Sequence, residues 1–323
     1  MVCSRVGFSV LMSALAVSAA QVRRTGSPCT PVTTTSSGVP QPTGEPIGTK
    51  YFFNFGDSYS QTGFNINGQK PTADNPFGNP PVPGWTASGG LNWVGFMASE
   101  YNAGDVRTFN FAYGGATTDA DLVTPYAPEV LSFEDQVDLF LDNVAVNPKP
   151  EWAPWTAANS IVGVWIGVND VGNTFWLPDL PAKTQTIIDR YFELLQSLYD
   201  SGLRNFVLLS VPPTNRAPLF WNQGPDASNS VANGVETYNT ALEAALQTFK
   251  TANAGVTAWL VDTAVPFNQA LDNPTAYGSP DATCWKEDGV SCLWFNDYHP
   301  AIEINRLVGA EVARVVGAPF FEA

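Results

Sequence analysis

Short apolar runs alternate with helix-spaced apolar positions from residue 51 to the end of the chain. Tyr51–Phe55 is an aromatic run stopped by Gly56. Arg107–Ala112, Ser160–Ile166, Phe206–Val211 and Val256–Val261 are further runs of strand length, the fourth run of the five being closed by Pro212 and Pro213. Between the runs, apolar residues recur every three or four positions. One such set is Trp93, Phe96, Met97 and Tyr101; the next is Phe133, Val137, Phe140, Leu141 and Val144. A third runs from Ile187 to Leu198, a fourth from Val231 to Phe249, and the last from Ile302 to Val316. Ser132 is placed to cap the second helix, and Gly202 to end the third. Five strands joined through helices predict an α/β fold whose parallel sheet is covered on both faces. Ligands of such sheets bind beyond the carboxyl ends of the strands, so the residues just after each strand are the ones to examine for chemistry.

The chain before this alternation differs in kind. Residues 1–20 carry Arg5, an apolar stretch from Val6 to Val17 and the small residues Ser18-Ala19-Ala20, the pattern of a secretory signal peptide. Residues 21–47 are rich in Ser, Thr and Pro without hydrophobic period and are expected to form a linker-like extended segment. The globular domain is therefore expected over 48–323, in a secreted, extracellular protein. No later segment reaches the roughly 18 apolar residues of a membrane span. In an oxidising compartment Cys284 and Cys292, eight positions apart in CWKEDGVSC, are expected to pair as a disulfide, which leaves Cys29 without a partner.

Composition narrows the function. The 323 residues carry 15 Lys and Arg against 30 Asp and Glu, a formal charge of −15. Nucleic-acid binding needs a basic face, and anionic membrane surfaces attract basic segments, so neither partner is expected. His299 is the sole histidine, and with four cysteines the ligands for an ordinary metal site are too few; no metal and no cofactor are expected.

Four segments fall on the predicted carboxyl edge. Gly56-Asp57-Ser58 follows the first strand, Tyr113-Gly114-Gly115 the second and Gly167-Val168-Asn169-Asp170 the third; Asn296-Asp297-Tyr298-His299-Pro300 precedes the last helix. A hydroxyl, glycine-freed N–H groups, a carboxamide and an imidazole on one edge form the set that acyl transfer needs: a nucleophile, a base to activate it and donors for the oxyanion. Each segment alone also suits an ordinary turn or cap; their common register is what singles them out.

These segments resemble a known family. FNFGDSYSQTGFN is similar to the first block of the GDSL, or SGNH, hydrolases, NFAYGGATT to the second, GVND to the third and DYHP to the last. The surrounding GWTASGGLNWVGFM looks most like the fungal acetylesterases of carbohydrate esterase family 16. The resemblance implies a flavodoxin-like three-layer α/β/α sandwich with a five-stranded parallel sheet. It implies Ser58 as nucleophile and His299 as base, then acid. The oxyanion would be held by the Ser58 N–H, the Gly115 N–H and the Asn169 carboxamide, with no cofactor.

One departure concerns the imidazole's partner. The family spaces its last block D-x-x-H, but here Asn296 stands three before His299 and the carboxylate, Asp297, two before it. Pro300 restricts His299 toward extended backbone, and in an extended run residues two apart share a face, so Asp297 is expected to orient His299. The alternative orienters are Asn296 and a backbone carbonyl.

Loop aromatics supply the expected substrate wall: Trp85, Trp176, Trp221, Trp285 and Trp294. Together with secretion and the resemblance to the fungal acetylesterases they favour removal of acetyl groups from carbohydrate esters such as acetylated xylo-oligosaccharides. A lipase or lysophospholipase would use the same catalytic set with an apolar acyl channel. A glycosidase would use paired carboxylates, for which Asp57, Asp119 and Asp170 are available. A non-catalytic carbohydrate-binding protein would keep the aromatics alone.

Overall fold

The computed structural model describes residues 48–323, which lie in the compact unit Glu45–Ala323. The expected signal peptide and linker fall outside the described residues. Five strands, β1 (Lys50–Gly56), β2 (Val106–Asn110), β3 (Ser160–Trp165), β4 (Asn205–Leu209) and β5 (Thr257–Val261), pair in parallel in the order β2-β1-β3-β4-β5. The helices are α1 (Trp93–Ser99), α2 (Phe133–Asn143), α3 (Val168–Gly172), α4 (Leu180–Asp200), α5 (Pro218–Trp221), α6 (Pro225–Ala252), α7 (Ala264–Leu271) and α8 (Ile302–Val316).

Alternation along the strands sends side chains to two cores. Tyr51, Phe53 and Phe55 of β1 pack with Val162, Val164, Phe206 and Leu208 against α2, α4 and α6. Phe52, Ile161, Trp165, Val207 and Leu209 face the opposite layer, where Trp93 of α1, Phe267 of α7 and Val308 of α8 meet them. The central strands β1 and β3 are buried on both faces because helical crossovers cover both, which is why they read as continuous apolar runs, whereas the edge strand β5 is only partly buried. Ser132 caps α2: its hydroxyl accepts from the Asp135 N–H, and the Asp135 carboxylate accepts from the Ser132 N–H in return.

The sequence pattern and the elements differ where periodicity has little length to act on. Helices α3, α5 and α7 are one or two turns long and were not apparent. Helix α6 begins six residues before Val231, in a polar segment opened by Pro225, whose missing N–H costs nothing in a first helical turn. Cys284 and Cys292 are joined by a disulfide that closes the loop before His299. Trp294, expected in a substrate wall, belongs instead to the core. It is 0% exposed, its indole N–H donates to the Ala282 carbonyl at 2.9 Å, and its ring packs on Phe267. The disulfide folds the chain back so that this indole turns inward.

Because the chain leaves β1 toward β2 on one side and β3 lies on the other, the strand order reverses at β1. Such a reversal opens a crevice at the carboxyl ends, and Ser58 follows β1 there.

Candidate active site

The backbone just after β1 is held from beneath. Gln136, fully buried on α2, clasps Gly56 with both ends of its carboxamide: Oε1 accepts the Gly56 N–H and Nε2 donates to the Gly56 carbonyl, each at 2.9 Å. Asp57 then starts a tight turn, its carbonyl accepting from the Ser60 and Gln61 N–H groups and its carboxyl from the Tyr59 N–H. Ser58 is left at the crest of this turn, partly exposed. Burial pushes the Asp57 carboxyl up to about 8; the Tyr59 N–H opposes that shift and the charge of Asp170 adds to it. Asp57 thus serves the turn.

His299 Nε2 lies 2.7 Å from Ser58 Oγ. Its other nitrogen, Nδ1, lies 3.0 Å from the side-chain oxygen of Asn296. That same oxygen accepts from the Tyr298 N–H at 2.9 Å and the His299 N–H at 2.8 Å. A carboxamide oxygen can only accept, so Nδ1 must carry the proton and Nε2 is left as the acceptor for the Ser58 hydroxyl. The segment is placed by two further bonds: the Tyr59 hydroxyl donates to the Tyr298 carbonyl at 2.6 Å, and the Tyr298 hydroxyl to the Val168 carbonyl at 3.1 Å.

The expectation that Asp297 orients His299 is corrected by this geometry. Asn296 Oδ1 bridges forward to the next backbone N–H groups, which makes the segment a turn. A turn abolishes the alternation that put positions 297 and 299 on one face. Asp297 is exposed, and its backbone carbonyl accepts from the Leu219 N–H. Its charge reaches the imidazole only through space, where solvent screens it.

Burial lowers the His299 pKa to about 4, against a smaller opposing pull from Asp297. The imidazole is therefore neutral, and able to take a proton, through most of the acid range. The acid limb of kcat/KM should then fall near pH 4 and not near the ordinary histidine value of about 6.5. Asp170 also titrates in this range, at about 6, but a protonated carboxyl still accepts through its carbonyl oxygen. A pH profile of kcat/KM checks this; a midpoint at or above 6.5 would contradict it.

Groups able to donate lie on the loops beside this pair. The loop after β2 brings Gly115 to the site with φ +85, a conformation that favours glycine, and a Cβ there would lie 2.2 Å from the Tyr126 ring. Neither the Ser58 N–H nor the Gly115 N–H donates to a protein acceptor among the described residues. Two neighbouring residues of α3 clamp this loop. Asn169 Nδ2 donates one hydrogen to the Ala116 carbonyl at 2.8 Å, which leaves the other available. The buried Asp170 carboxyl accepts from the Thr118 N–H at 3.1 Å and from its hydroxyl at 3.3 Å.

The structure therefore gathers Ser58, Gly115, Asn169 and His299 at one sheet edge. Sequence reasoning passed over Gln136, Gln61, Tyr126 and the clamping role of Asp170. Only Gln136 had a signal: it is the polar residue among Phe133, Val137 and Phe140 on the inward face of α2. Among the expected wall residues, Trp85, Trp176, Trp221 and Trp285 are exposed. Trp85 lies on the loop that follows the nucleophile turn, Trp176 stacks edge-on against Phe175, and Trp285 stands on the disulfide-closed loop. Trp221 borders a cavity beside Ser228 and Asn229. Among the described residues no three His, Cys, Asp or Glu side chains gather as a metal site. No described helix is long and apolar enough to cross a membrane.

A hydroxyl hydrogen-bonded to a neutral imidazole, with donors converging beside it, is the apparatus of a serine hydrolase. Comparison with known proteins agrees with that class. The model of the GDSL-like lipase/acylhydrolase family matches residues 52–312, and the chain belongs to this family. An acetylesterase of Thermothelomyces thermophilus is 58% identical over 276 residues, covering 85% of this chain and 91% of that protein. An acetylesterase of Hypocrea jecorina is 30% identical over 173 residues, covering 50% of this chain and 47% of that one. A solved acetylxylan esterase from Geobacillus stearothermophilus aligns over 84% of this chain and 96% of its own with TM-score 0.48 at 18% identity.

Proposed function

We propose that this protein is a serine esterase that removes acetyl groups from carbohydrate esters outside the cell. The observation that carries the hydrolytic reading is the 2.7 Å contact between Ser58 Oγ and a His299 whose other nitrogen is held by Asn296. His299 takes the hydroxyl proton as Ser58 attacks the ester carbonyl. The N–H groups of Ser58 and Gly115 and the spare hydrogen of Asn169 Nδ2 receive the oxyanion. The imidazolium returns its proton to the departing sugar oxygen, leaving an acetyl ester on Ser58. Water, deprotonated by the same imidazole, then attacks the acetyl carbonyl; the Ser58–acyl bond breaks, the imidazolium reprotonates Ser58 Oγ, and acetate leaves. The acetyl preference is supported by the 58% identity to an acetylesterase. The extracellular setting is supported by the leader-like residues 1–20 and the disulfide.

Hydrolysis of aryl acetate, butyrate and octanoate, run beside acetylated xylo-oligosaccharides, tests this reading. The acetate should turn over fastest and the acetylated sugar should be a substrate. Faster cleavage of the octanoate would replace the reading with that of a lipase. Glycosidic-bond cleavage that resists serine-directed inhibitors would point instead to paired carboxylates and a glycosidase.

A further inference from the structure

Several cavities of about 340–410 Å³ lie among the described residues, and one of them reaches toward the serine turn through Gln61. A groove of about 400 Å³ between α4 and α6 touches no residue of the site. Another, also about 400 Å³, has Gln61, Trp85 and Tyr113 on one side and an apolar floor of Phe64, Phe111 and Leu139; it lies within the range of small-molecule sites, roughly 300–1,000 Å³.

Three observations tie this second cavity to the chemistry. A Cβ on Gly114 would lie 2.4 Å from Gln61 Oε1 and 3.9 Å from Ser58 Cβ, so the Gln61 carboxamide and the Ser58 side chain face the same glycine. Trp85 is anchored to the nucleophile's own loop: its N–H donates to the Thr62 carbonyl at 2.8 Å, and its ring rests on Gly63, where a Cβ would come within 2.8 Å of it. The loop bearing Trp85 packs on residues that flank the base in sequence, with Gly89 against the Gly289 backbone and Gly90 against Ile302. The leaving alcohol must lie where His299 can return a proton to it, and this loop spans from the serine turn to that side.

The wall also has the character of a sugar site. Trp85 is 75% exposed, far more than the wall of an enclosed acyl channel would be. The Gln61 main chain is bonded by Asn92 and Asp57, but its carboxamide has no protein hydrogen-bond partner among the described residues. The mouth is edged by Asn65 and Asn67, both exposed. A pyranose ring offers an apolar face for an indole and hydroxyls for carboxamides; an alkyl chain would leave the carboxamides unanswered.

We propose that this groove is the subsite for the alcohol side of the ester, where the sugar ring stacks on Trp85 and the Gln61 carboxamide holds a neighbouring hydroxyl. The proposal rests on the esterase reading above and specifies the part of the substrate that reading leaves open. Trp85 serves specificity and takes no part in bond making.

The test compares the wild type with Trp85→Ala and Trp85→Phe, all checked for equal melting temperature. The substrates are an acetylated xylo-oligosaccharide and ethyl acetate, whose leaving group has no ring to stack. Trp85→Ala should raise KM for the oligosaccharide about tenfold, the size of a lost aromatic contact, and leave ethyl acetate within about twofold. Trp85→Phe should recover most of the loss. Calorimetric binding of the unacetylated xylo-oligosaccharide, which needs no turnover, should weaken in Trp85→Ala alone. Unchanged KM and unchanged binding would overturn the subsite, as would equal losses on both esters. A loss confined to octanoyl esters would make the groove an acyl channel and overturn it too. Absence of ester hydrolysis in the wild type would sink the esterase reading, while calorimetry still decides the subsite.

Discussion

Ser58→Ala should lower kcat by about a thousandfold or more, with KM close to that of the wild type. The reasoning starts from where the turn puts the hydroxyl. Asp57 and the Gln136 clasp fix the backbone, so alanine is accommodated without disturbing the turn or the main-chain N–H. What disappears is the attacking oxygen alone. His299 and the donors at Ser58, Gly115 and Asn169 remain, and residual rate from binding and oxyanion stabilisation should persist above the uncatalysed reaction. Steady-state kinetics on an aryl acetate, with circular dichroism to confirm matched folding, measures the effect. A correctly folded variant with near wild-type kcat would remove Ser58 from the mechanism.

Asn296→Ala should cost between about a hundredfold and ten-thousandfold in kcat, whereas Asp297→Ala should cost less than about threefold. Alanine at 296 strips the acceptor from the Tyr298 N–H, the His299 N–H and the imidazole Nδ1–H together. The ring then loses both its orientation and the tautomer that leaves Nε2 open toward Ser58. Asp297, exposed to solvent and unbonded to the ring, offers only a screened charge. Asn296→Asp is the informative complement. It keeps an acceptor at Nδ1 and adds a charge that favours the imidazolium, so activity should survive while the acid limb moves upward from near pH 4. Separate kcat values at matched folding, and the pH profile of the aspartate variant, decide the matter. A severe Asp297→Ala beside a mild Asn296→Ala would show that the turn does not persist in the working enzyme.

The Asn296 result marks where the sequence ceased to be sufficient. Five strands and the helix Ile302–Val316 were legible because their apolar positions repeat over enough residues to fix a face. The placement of Ser58, Gly115 and Asn169 at one sheet edge was legible because a parallel sheet presents such residues at one end, and each follows a strand. Orientation of His299 was not, because it depends on whether five residues run extended or turn. Asn296 decides this with one side-chain oxygen that competes for backbone N–H groups. Trp294 failed for a related reason: its place beside a loop says nothing about which way a disulfide-closed segment folds back. The supports from Gln136 and Asp170 join residues 80 and 52 positions apart, and no local pattern encodes such a meeting.

The central claim is that Ser58 is the nucleophile activated by His299, and covalent capture tests it most directly. A fluorophosphonate ester should lose fluoride to the serine oxygen and leave one phosphonyl group per chain. Intact-mass and peptide analysis should place that group on Ser58, with activity falling in proportion to labelling and no labelling in Ser58→Ala. Activity that persists after Ser58 is fully labelled, or inactivation with the label on another residue, would contradict the account.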